Sequence, residues 1–145
     1  MKNKFFFPLS LIKSATFGIY TNTTILREQI DILVDAIEPD GEISADECSL
    51  CFYVLTNNLS TVFVIIDVSS KYSCPEKSFK NVFSLLPIER SSVQKNTLFV
   101  YVDKEGVFTQ IVVDIKFNYI STIRLSPSNL GVVLTQLNSL YFKNS

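Results

Sequence analysis

Apolar residues recur along this chain with two different periods. From Leu26 to Ile37 the apolar positions are Leu26, Ile30, Leu33, Val34 and Ile37, with Glu28, Asp31 and Asp35 between them. Steps of three and four place the apolar set on one face of an α-helix. Thr23 or Thr24 can cap its start, and Pro39-Asp40-Gly41 ends it. Beyond it the period shortens. Leu50 to Leu55 and Thr61 to Val68 are β-branched and aromatic, and the five residues Thr56 to Ser60 read as a hairpin loop joining two strands. Val62-Phe63-Val64-Ile65-Ile66 is apolar without a break, which predicts a strand covered on both faces. Cys74-Pro75-Glu76 opens a second helix with Phe79, Val82, Phe83 and Leu86 on one side, and Pro87 stops it.

The last third repeats the alternation. Leu98 to Val102 reads as a strand, Asp103-Lys104-Glu105-Gly106 as a hairpin turn, and Val107 to Phe117 as the return strand. Asn118 breaks or bends the chain before a third strand from Tyr119 to Leu125. Ser126-Pro127-Ser128 starts a final helix, because proline at the first helical position gives up an amide that has no partner there anyway. Leu130, Val133, Leu134, Leu137, Leu140 and Tyr141 form its apolar stripe.

The resulting order is α-β-β-α-β-β-β-α in one domain spanning 1–145, with residues 1–22 as an N-terminal strand or extension. Within that stretch Ala15 to Tyr20 is the candidate strand. Hairpin-linked strands imply an α+β fold with an antiparallel sheet of about five strands, its helices on one face. In element order this resembles the profilin-like scaffolds, including roadblock and longin domains. No sequence motif of those families accompanies the order. The resemblance implies a small docking or assembly platform.

Composition narrows the chemistry. With no histidine among 145 residues, Ser-His-Asp and Cys-His nucleophile systems and His-ligated zinc are excluded within the chain. The net charge of −1 gives no global attraction to nucleic acid or anionic membrane. The distribution is uneven, however. Glu28 to Glu47 holds eight acids and no base, whereas Lys71 to the end holds nine bases and five acids. Lys2 and Lys4 followed by Phe5 to Ile12 imitate a signal peptide. The run is short, contains Pro8, is stopped by Lys13, and lacks a small-x-small cleavage site. No stretch reaches the ~20 apolar residues of a membrane span. Three cysteines give no closed disulfide framework, so the expected compartment is a reducing cytosol, of a cell or a virus-infected cell. Lys/Asn/Ile/Phe/Ser-rich usage suits an AT-rich genome, compatible with a small viral or mobile-element protein.

Four constellations could carry function. Asp40-Gly41-Glu42-Ile43-Ser44-Ala45-Asp46-Glu47 resembles the second half of an EF-hand loop, with Glu38 and Asp40 at earlier ligand positions and Glu47 last. The first ligand position falls on Ala36, Pro39 sits inside the loop, and a strand-like run follows where a helix is needed, so the expectation is an acidic connection without metal. Cys48-Ser49-Leu50-Cys51 has redox or zinc spacing, yet finds only Cys74 as a third ligand. It reads as small apolar cysteines at the start of a strand. The acidic helix, with Glu28, Asp31, Asp35 and Glu38, is the candidate surface for a protein partner. Finally, Phe99, Tyr101, Lys104, Lys116 and Arg124, on or between the last three strands, would suit single-stranded nucleic acid if their sheet face were open. Tyr119 to Tyr141, a strand, Ser-Pro and a helix, resembles the closing elements of Whirly-type single-strand binders. The same aromatic face under a helix would be plain core.

No glycine-rich phosphate loop and no nucleophile–base pair is found, and no cofactor is implied. The expectation is a non-catalytic interaction or assembly module that binds a protein partner or forms a homo-oligomer, acting in a complex or inhibiting a host machine. The alternative is a single-strand nucleic-acid binder.

Overall fold

The computed structural model describes residues 27–45, 48–56, 61–68, 74–85 and 97–144. The N-terminal strand or extension expected over 1–22 lies outside them. Among the described residues, three helices flank one mixed sheet: α1 (Arg27–Ala36), α2 (Pro75–Leu85) and α3 (Pro127–Asn144). The strands are β1 (Gly41–Ala45), β2 (Cys48–Thr56), β3 (Thr61–Asp67), β4 (Thr97–Val102), β5 (Phe108–Val113) and β6 (Tyr119–Arg124). They lie side by side in chain order.

The α+β class and the element order roughly fit the expectation; the described sheet has six strands against about five, and it is mixed and not wholly antiparallel. β1-β2-β3 and β4-β5-β6 are antiparallel meanders, but β3 and β4 run parallel, in register from Thr61↔Thr97 to Ile66↔Val102. The reason is the helix between them. A chain that leaves β3 and passes through α2 returns to the starting end of the sheet, which is the crossover that neighbouring parallel strands require. The extra strand is β1, which had read as an acidic loop.

Helices cover both faces, not one. Ile30, Leu33 and Ile37 of the α1 region and Leu130, Val133, Leu134 and Leu137 of α3 pack with Cys51, Tyr53, Val62, Val64, Ile66, Val100 and Phe108. Phe79 and Val82 of α2 pack on the opposite face with Phe52, Phe63, Ile65, Phe99, Tyr101 and Ile111. Successive residues of β3 serve alternate layers, as the pleat dictates, and Val62 to Ile66 are all buried. The unbroken apolar run of β3 is thus explained by cover on both sides. Each such side chain contributes roughly 1.5–3 kcal/mol through burial.

Local chemistry fixes the ends of elements. Ser126 caps α3: its Oγ accepts from the amide of Asn129 at 3.2 Å, with Pro127 at the first helical position. The Tyr53 hydroxyl donates to the Ile37 carbonyl at 3.0 Å, satisfying an acceptor at the end of α1 that has no helical partner.

Candidate functional site

α1 is amphipathic in the sense its sequence predicts. Ile30 and Leu33 point into the core, while Glu28, Asp31 and Asp35 are exposed on the opposite side, and Glu38 is exposed just past the helix end. Ile32 lies in the same outward stripe and is 45% exposed. Residues 28, 31, 32 and 35 are separated by three and four, so they make one continuous ridge. Glu28, Asp31 and Asp35 therefore share one surface, with Ile32 an apolar contact point within it that the sequence reading missed.

Arg27 offsets only one charge of this surface. Its Nε pairs with Asp31 at 3.0 Å, but the rest of its guanidinium turns away from solvent. One terminal nitrogen donates to the carbonyls of Asp67 (2.8 Å) and Asp103 (3.1 Å), and the other to Val68 (3.2 Å). The planar fork thus ties the start of α1 to the finishing ends of the parallel strands β3 and β4, a task that an ammonium cannot match. Beneath it, fully buried Asp67 accepts from the Tyr101 hydroxyl at 2.8 Å. The other Asp67 carboxylate oxygen has no hydrogen-bond partner among the described residues. One clue to Arg27 was legible: it is the only base between Lys13 and Lys71. Asp67 gave none, since it reads as the polar end of a strand.

The EF-hand likeness does not survive. Gly41–Ala45 is β1, paired with β2 from Gly41↔Phe52 to Ala45↔Cys48, and the Asp40 carboxylate accepts from the amide of Val54 at 2.6 Å. Asp46 and Glu47 lie outside the described residues. Of the cysteines, Cys51 is buried and Cys74 exposed, both as free thiols. Burial, aided by the negative charge of Glu42, pushes the Cys51 thiol up to about 12, so it stays protonated and inert at neutral pH. The same burial raises the Tyr53 hydroxyl.

The residues considered for nucleic acid are not brought together. Phe99 and Tyr101 are buried under α2. The Phe99 ring stacks on Phe63 at 5.1 Å and meets Phe79 edge-on at 5.1 Å. This face is covered, and neither ring is presented to solvent. Lys104 lies in the β4–β5 turn and Lys116 in the β5–β6 turn, at opposite ends of β5 and roughly 20 Å apart for a six-residue strand. Arg124 ends β6 and is exposed, at the same end of the sheet as Lys104.

Comparison of the chain with protein-family models, curated proteins and solved structures finds no match. The site has to be read from its own geometry. Among the described residues, no three Cys, Asp or Glu side chains converge to hold a metal ion, and no helix is long and apolar enough to cross a membrane.

Proposed function

We propose that this protein is a non-catalytic docking module whose α1 ridge engages a basic surface on a protein partner. The observation that carries the reading is the ridge itself. Glu28, Asp31 and Asp35 are exposed beside Ile32, with Glu38 exposed just past the helix end; the nearest base, Arg27, pairs with Asp31 alone of these acids and spends its terminal nitrogens on backbone carbonyls of the sheet. Such an arrangement suits electrostatic steering onto a basic site, with one apolar side chain to bury on contact. The likeness in element order to profilin-like platforms supports it by analogy alone. Free thiols at Cys51 and Cys74 fit the reducing cytosol of a cell or virus-infected cell, where the proposal places the protein.

The test is affinity capture from native lysate, with and without nuclease, using wild type and Glu28→Lys/Asp35→Lys. This variant leaves the Arg27–Asp31 pair in place. The wild type retains a partner after nuclease, and the variant loses it with an unchanged melting temperature. A partner released by nuclease would favour the single-strand reading, and an unaffected variant would remove the ridge from the interface.

A further inference from the structure

We draw no further inference here: the strongest candidate, the buried Asp67 carboxylate where β3 and β4 finish, whose second oxygen has no partner among the described residues, is wholly enclosed, and nothing in the structure shows what donor would reach it.

Discussion

Phe117 adopts a backbone conformation that glycine supplies in the neighbouring hairpin. Both turns have an aspartate first, Asp103 and Asp114, whose carboxylate accepts from amides two and four residues on. Both then need a left-handed residue in fourth position. Gly106 takes it with φ 87°, and Phe117 with φ 62°. A side chain there costs about 1–2 kcal/mol, offset here by the Phe117 ring packing against Phe83 and Phe99. Phe117→Ala keeps the backbone cost and loses the ring, whereas Phe117→Gly loses the ring and the backbone cost together. Urea unfolding should therefore rank wild type above Phe117→Gly, and that above Phe117→Ala by about 1 kcal/mol. Equal stability of the two variants would show that the backbone cost is absent. The amides of Asn118 and Lys116 also hold Asp114 below the usual carboxylate range. Its share of stability is thus present above the ordinary value and is lost as pH falls through the lowered one.

At the scale of elements, one side chain adds a polar tie to the apolar packing of α1 on β3 and β4. Arg27 makes three bonds to carbonyls at the ends of those strands, and charged donors contribute about 1.5–3 kcal/mol each, less than additively. Arg27→Ala should lower stability by about 3 kcal/mol, and Arg27→Lys should recover less than half of that. Full recovery by lysine would mean that charge, not the fork, is what matters; chemical denaturation of the three proteins decides. Helix and strand positions were largely legible because burial enforces their periods: Ile30-Leu33 in α1, the alternation of β2, the Ser126-Pro127 start of α3. β1 was not. Gly-Glu-Ile-Ser-Ala has weak strand-forming residues and an acidic surround, and it becomes a strand through pairing with β2. Gly41 is needed there, since a Cβ would run into the Phe52 ring.

At the scale of the whole molecule, the described residues form two apolar layers separated by a sheet. Ile30 belongs to the layer under α1 and α3, and Ile111 to the layer under α2. Each of Ile30→Val and Ile111→Val should cost about 0.5–1.5 kcal/mol. The double variant should show their sum within about 0.5 kcal/mol, since the sites share no partner. A coupling energy well above that, read from guanidinium midpoints, would mean that the sheet transmits strain between layers.

Apolar periodicity determined which residues are buried and in what kind of element, because each element must hide one stripe or face wherever it ends up. It also placed Glu28, Asp31 and Asp35 on one surface, since that follows from helical geometry alone. Only the tertiary structure decided that β3 and β4 run parallel, that α2 lies across the sheet from α1 and α3, and that Phe99 and Tyr101 are core. Those outcomes depend on where the chain returns after a crossover, and a local pattern of apolar residues is the same whichever face the returning helix covers.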